Sequence, residues 1–377
     1  MDQAPARERI EGRLEQGVAE RDDLHNVYLL VHADSRDIHW DMAFGETNGF
    51  DADPNQQYHA ASIGKTFTST IIAMLVEEGR LDFKDTIDLY LGDDLLDGLH
   101  VYKGTDHTAD IRIDHLLSHT SGLPHLLADE FGLLRRHDEQ APDGRTFFDV
   151  MLDEPDRFWE PDETIEWAKE YLNPHFAPGE GRFYSEVGYN LLGLLIEEVT
   201  GDGYHEVLHE RLFDPLGMDH SYLSQYSLPA IESDLPVARF YIDEQAFDPE
   251  AYRSFSAWYA GGQTVNTSDD LFKFHRALAE GELVSESILE RMHDWGKLSV
   301  GLDYGYGMIR FRPLPFASKY HIWGGLGATS SFMMYNPEID VYLIGSFNQW
   351  SYTSKAMRFL FKVMRTVSKV ERKVPAV

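Results

Sequence analysis

Two stretches of this chain carry residue types at spacings that chemistry uses. The first is GYHEVLHERL, residues 203–212, which contains His-Glu-x-x-His. On a helix, His205 and His209 fall at i and i+4 on one side, where two imidazoles can share a zinc ion while Glu206 serves as base. The second is ASIGKTFTS, residues 61–69, where Ser62 and Lys65 stand at i and i+3. That spacing puts hydroxyl and amine on one face at the first turn of an apolar helix. A serine hydroxyl needs help to lose its proton, and a lysine desolvated among apolar neighbours can supply or assist the base. The helix N-terminus adds partial positive charge and free N–H groups beside the nucleophile.

Both motifs also have plain structural readings. Ser62 can be an N-cap and Lys65 a solvated cation. Against this, a capping serine usually has Glu or Gln three residues on, and a lysine opening so apolar a helix is costly unless used. Ser62-Lys65 is the only Ser-x-x-Lys in the chain. In the His-Glu-x-x-His stretch, Tyr204, Val207, Leu208 and Leu212 form the stripe expected to be buried, with His205 and His209 at its edge and Glu206 and Glu210 pointing away. The sequence ERLFDPLG replaces the His-x-x-Gly-x-x-His extension of one zinc-protease class, while a downstream carboxylate ligand stays open in so acidic a chain. His115 and His119 also sit at i and i+4. No Gly-x-Ser-x-Gly elbow and no phosphate loop of the Gly-x-x-x-x-Gly-Lys type occur.

The elements that must position these residues follow from pattern. The N-terminal 23 residues read as an amphipathic helix, NVYLLVHA and IHWDMAFG as strands joined by ADSRD, and residues 62–78 as a helix apolar nearly all round, closed by Gly79. From about Leu81 to Ser254 short helical patterns alternate with polar, Pro-rich and Gly-rich loops. Strand texture returns in KYHIWGG, SSFMMYN and VYLIGSFN, followed by a final helix, SYTSKAMRFLFKVMRTV. This predicts a sheet lobe from residues 1–82 and 255–377, a helical lobe from 83–254, and a site between them, with pocket walls from loops around residues 125–175.

Composition excludes several functions. Among 377 residues, 64 acidic against 33 basic side chains leave a formal charge of -31, which repels nucleic-acid backbones and anionic lipid alike. Cysteine is absent, so disulfides, thiolate metal sites and a cysteine nucleophile are excluded. The first 23 residues hold no apolar h-region and the chain no run long enough to span a bilayer, so the expected location is cytoplasmic unless a leader was trimmed.

Several ordered blocks give the chain a family resemblance. These are ASIGKTFTSTIIAMLVEEGRLDFKDTI, IRIDHLLSHTSGLPH, FAPGEGRFYSEVGYNLLGLLIEEVTG, PLGM, AGGQTVNTSDDLFKF and WGGLGATSSFMMYNPEIDVYLIGSFNQ. The chain resembles the serine β-lactamase and penicillin-binding protein superfamily, in the branch of class C β-lactamases, D-aminopeptidases and family VIII carboxylesterases. The resemblance implies an α+β fold, an antiparallel sheet flanked by helices with an inserted, mostly helical lobe. It implies that Ser62 is acylated, that Lys65 is its partner, and that Tyr184 is the second-motif tyrosine that shuttles the proton. It also places the oxyanion hole at the backbone N–H groups of Ser62 and Leu326, and calls for no cofactor or metal.

Two departures from the family pattern bear on substrate. The second motif, often Tyr-x-Asn, reads Tyr184-Ser185-Glu186. A carboxylate there is expected to hold Lys65 charged, which favours Tyr184 as base if Glu186 faces the site. The third motif, usually Lys-Thr-Gly or His-x-Gly, most resembles Trp323-Gly324-Gly325, with Gly325-Leu326-Gly327 as the other register. Either lacks the cation that meets a substrate carboxylate, and Trp323 is expected to form an apolar wall.

The reading that follows is a serine hydrolase, foremost a carboxylesterase on small or medium esters. A D-amino-acid peptidase, amidase or DD-carboxypeptidase comes second, and a β-lactamase third. A zinc metallopeptidase and a non-catalytic penicillin-binding-like sensor are the readings from other classes. The 22 arginines against 11 lysines, in so acidic a chain, also suit a surface adapted to high salt. On that reading, unfolding measured across a sodium chloride series shifts upward with salt, and a flat response refutes it.

Overall fold

The computed structural model describes residues 1–126, 144–314, 316–350 and 352–373. Helix α1, Gln3–Ala19, buries Ala6, Ile10 and Leu14, one residue per turn, on the sheet below it. Strand β1, Asn26–Ala33, is buried at every position, which is why it reads as a continuous apolar run and not an alternating one. It turns through Asp37, in the left-handed region at φ 57°, into β2, Ile38–Thr47. A two-residue strand, β3 (Phe50–Asp51), ends that side of the sheet.

The remaining strands come from the C-terminal third. They are β4 (Gly296–Ser299), β5 (Leu302–Tyr304), β6 (Ile309–Phe311), β7 (Ile322–Leu326), β8 (Ser331–Asn336) and β9 (Val341–Ser346). All pair antiparallel, in the order β4-β5-β6-β7-β8-β9-β1-β2-β3, so the chain's two ends meet where Leu30 of β1 faces Ile344 of β9. The first three of these strands escape sequence reading. They are three or four residues long and interrupted by Lys297, Asp303 and Arg310, too short for an alternation to register.

Helices cover both faces. One face packs α1 and the final helix, Thr353–Val367, around a cluster that includes Ile10, Leu29, Leu343 and Leu360. The other face meets α2, Gly64–Glu77, in which all but two of the 14 residues are buried. Phe67 of α2 sits between Phe213 and Phe274, with ring centroids 5.6 and 4.5 Å away. Helix α3, Glu186–Thr200, packs on α2 from the 83–254 segment. A single apolar cluster joins Ile71, Leu116, Tyr189 and Ile344, so the helical segment and the sheet share one core. Among the described residues, no helix is long and apolar enough to cross a membrane.

Candidate active site

Ser62 lies in a 3-10 turn, Ala61–Ile63, immediately before α2. The turn is pinned on both sides. The Ala60 N–H donates to the Thr264 carbonyl at 2.9 Å, and the Ala60 carbonyl accepts from Ser331 Oγ at 2.6 Å. These contacts hold Ala61 at φ 50°, a conformation that costs a non-glycine residue about 1–3 kcal/mol and persists only where its surroundings over-determine it. The end of β7 presses on the same turn, since a Cβ at Gly327 would lie 2.5 Å from the Ala60 oxygen.

Lys65, one turn on, is buried, and its Nζ has four acceptors around it. Glu186 Oε1 and Oε2 each lie at 2.7 Å, Ser62 Oγ lies at 3.3 Å, and the Gly261 carbonyl also accepts. A carboxylate and a carbonyl can only accept, so this nitrogen is placed to be an ammonium. The charge also sits 4.9 Å from the Tyr184 ring centroid and 5.3 Å from that of Tyr189. Tyr184 donates its hydroxyl to Ser62 Oγ at 2.8 Å. The structure therefore brings together Ser62, Lys65, Tyr184 and Glu186 from two distant stretches of chain.

Glu186 reaches Lys65 because it is the first residue of α3. Ser185 caps that helix, accepting from the Gly188 N–H at 3.1 Å while donating to the Pro124 carbonyl at 2.7 Å. The helix N-terminus favours the carboxylate. Burial works the other way and pushes the Glu186 pKa above the ordinary glutamate value, with Lys65 pulling it back. Gly261 completes the pocket because a side chain there would strike Glu186 Oε2 and reach to 3.4 Å of Lys65 Nζ.

Two histidines behind Tyr184 were not singled out as site residues from the sequence. The His119 ring lies 4.2 Å from the Tyr184 ring, its Nδ1 accepts from the Ser185 N–H at 3.2 Å, and its backbone is left-handed at φ 58°. His125 meets the same tyrosine edge-on at 5.3 Å. Burial first, then the Lys65 charge, drives His119 well below the ordinary imidazole value and His125 to about 3. Both are neutral rings that fix Tyr184 without opposing Lys65. Their signal was the HTSGLPH block. His115, at i, i+4 with His119, accepts from the Arg112 N–H at 3.3 Å.

The third motif departs from expectation at Trp323. Its ring meets His275 at 4.8 Å and His293 at 4.6 Å, and it lines neither cavity at Ser62. The reason is position along β7. Gly325 and Trp323 share a strand face, and Gly325 already faces Ile63 and Thr66 beside the nucleophile turn. Trp323 is two residues, or about 6–7 Å, further away. Gly324 contributes no wall either, whereas Leu326 lines a cavity with Ser62 and Tyr184.

Two cavities open at Ser62. One has aromatic walls from His59, Phe240, Trp258 and Trp350, and Glu186 also lines it. The other is walled by Leu298, Leu302, Met308, Ile309 and Leu326, together with Tyr184 and Tyr304. Among the described residues, no lysine or arginine lines either one. Of the loops around 125–175 expected to wall the pocket, residues 127–143 lie outside the described residues.

The His-Glu-x-x-His stretch is engaged elsewhere. Tyr204–Leu208 is helical and continues as a π-turn over His209–Phe213. Glu206 accepts from the Gly203 N–H at 2.9 Å, closing the helix start, and His209 pairs with Ser227 Oγ at 3.2 Å and Asp214 at 3.5 Å. Among the described residues, no group of three or more His, Asp or Glu is placed to hold a metal ion.

The beta-lactamase family profile matches residues 13–360. The chain belongs to the beta-lactamase family. Within it, the chain is 26% identical over 294 residues to penicillin-binding protein 4* of Bacillus subtilis, covering 74% of this chain and 58% of that relative's length. The fold matches D-amino acid amidase from Ochrobactrum anthropi with a TM-score of 0.75 at 22% identity, over 96% of this chain and 98% of that one. It also matches EstCE1, described as a hydrolase with promiscuous acyltransferase activity, with a TM-score of 0.74 at 16% identity over the same shares.

Replacing Gly261 tests how this arrangement is held. In Gly261→Ala the new methyl displaces the Glu186 carboxylate and leaves Lys65 buried without its full partner set. We expect a loss of about 3–5 kcal/mol in urea unfolding. A variant as stable as the parent would show that the pair is not held by this close approach.

Proposed function

We propose that this chain is a serine hydrolase that works through an acyl-enzyme at Ser62, with small or medium carboxylic esters as substrates. The observation that carries the reading is the 2.8 Å contact from Tyr184 to Ser62 Oγ beside a lysine that Glu186 holds as a cation. With all its protons engaged, Lys65 serves as the charge that stabilises a Tyr184 phenolate, and the phenolate is the base. It takes the Ser62 proton as Oγ attacks the ester carbonyl. The N–H groups of Ser62 and Leu326 hold the oxyanion. Tyr184 then returns the proton to the leaving alkoxide, which departs as alcohol. Water repeats the sequence on the acyl-enzyme and releases the carboxylic acid.

The preference for esters rests on what lines the cavities. A β-lactam or a peptide ending in D-alanine presents a carboxylate that needs a cation, and none stands on either wall among the described residues. A D-amino-acid amide, the substrate class named for the Ochrobactrum protein, needs an acceptor for its ammonium group. Glu186 lines the first cavity, but its charge is already paired with Lys65.

A hydrolysis panel of p-nitrophenyl esters, a chromogenic cephalosporin and D-alanyl p-nitroanilide tests this. Esters should be turned over fastest, Ser62→Ala should lose about 10³-fold or more, and Tyr184→Phe about 10²–10⁴-fold. Undiminished ester hydrolysis by Ser62→Ala would sink the serine mechanism. The pH profile is a separate check. Protonating Glu186 strips Lys65 of its counter-ion, so kcat/KM should fall on the acid side at a pH above the ordinary glutamate range. That limb should vanish in Glu186→Gln, and its persistence there would assign it to another group.

A further inference from the structure

The geometry points to a division between the two cavities at Ser62. We infer that the aromatic cavity takes the acyl group, with preference for an uncharged aryl-acyl, and that the aliphatic cavity takes an aliphatic leaving alcohol. This rests on the acyl-enzyme reading above. Ser62 lines both cavities, so a carbonyl carbon bonded to Oγ has one substituent in each. Tyr184 lines only the second. The leaving oxygen must receive the proton that Tyr184 took from Ser62, and such a transfer works over about 2.6–3.2 Å. The leaving group therefore lies on the Tyr184 side. The acyl substituent, which stays on Ser62, is left with the other cavity.

The walls match that assignment. Phe240 lies 6.3 Å from Trp350 and 6.0 Å from His59, and His59 lies 5.7 Å from Trp258, which is itself stacked on Phe255 at 4.2 Å. These rings pack on one another, and the aromatic surface they turn toward Ser62 suits an aryl guest better than a polar one. Burial holds His59 at about 4, so it presents a neutral ring and not a cation. The Glu186 carboxylate on this wall is paired with Lys65, so among the described residues the wall offers an acidic acyl group no lysine or arginine partner.

On the other side, Leu298 and Leu302 flank the turn between β4 and β5, whose tip, Val300, is 91% exposed. Leu298 and Leu302 are themselves half-buried, so the aliphatic cavity reaches the surface beside this hairpin. An alkyl chain can follow it outward, so lengthening the alcohol should be tolerated where lengthening an aliphatic acyl chain is not.

Two ester series separate the sides. One varies the acyl group on a constant p-nitrophenol, from acetyl through butanoyl to phenylacetyl. The other varies the alcohol on a constant phenylacetyl group, from methanol through butanol to octanol. The wild type should prefer phenylacetyl in the first series and accept octyl in the second. Trp350→Leu should lower the phenylacetyl-to-acetyl ratio of kcat/KM about 10-fold while the octyl-to-methyl ratio holds. Leu298→Trp should do the reverse, and thermal melts establish that each variant is folded. The exchanged pattern, or equal movement of both ratios in either variant, overturns the assignment. Acid-quenched intact mass on phenylacetate turnover keeps the two readings apart. Absence of a phenylacetyl adduct on the wild type, with Ser62→Ala still active, removes the acyl-enzyme itself, whereas an adduct with exchanged ratios removes only the division of cavities.

Discussion

The buried pairing of Lys65 with Glu186 is the constraint on which the rest of the site depends. Each ion loses several kcal/mol of hydration when buried, and mutual attraction offsets that only if the remaining hydrogen-bonding groups are also satisfied. Here the carboxylate sits at the start of α3, and the ammonium takes the Gly261 carbonyl and Ser62 Oγ as further acceptors. Three separate stretches of chain must therefore arrive together. The 3-10 turn before α2, the capped start of α3 and the Gly261 segment are locked to one another by one desolvated charge pair.

Much of the fold follows as support for that meeting. Helix α2 can open with a lysine because α3 supplies its counter-ion, and α3 can start where it does because Ser185 ties its first turn to the Pro124 carbonyl. The sheet adds the third side. Ser331 grips Ala60, and the glycines at the end of β7 let that strand approach the turn more closely than any side chain would permit. Neutral His119 and His125 pack behind Tyr184 and leave the electrostatics to the ion pair alone.

The parts legible in the sequence were those with local signals. Ser62 and Lys65 sit one helical turn apart, and the central strands and long helices carry clear apolar patterns. Tyr184 and Glu186 came from resemblance, since a tyrosine among 19 has no local mark. Phe240, Trp258 and Trp350 reach the site from a three-residue strand, a 3-10 helix and a turn, about 180 to 290 residues from Ser62, and no periodicity ties them together. Trp323 was misplaced for the opposite reason. Its motif position was read correctly as strand, but strand spacing carries its ring away from the nucleophile toward His275 and His293. The His-Glu-x-x-His stretch carries a sharp pattern whose groups are occupied by helix capping and local pairing.

The hairpin of β4 and β5 has one more consequence. Among the described residues, β4 is the last strand of the nine-stranded sheet and no strand pairs with its outer edge. Exposed edges invite strands of other molecules, and proteins blunt them with short strands, irregular register and lysine. β4 has four residues, a register shift between Lys297 and Ser299, and Lys297 itself. The segment that shapes the mouth of the aliphatic cavity is thus also the segment that guards the molecule against edge-to-edge aggregation. Changes made here to admit bulkier alcohols act on colloidal behaviour as well as on selectivity, and a variant that straightens β4 gains room at the cost of solubility.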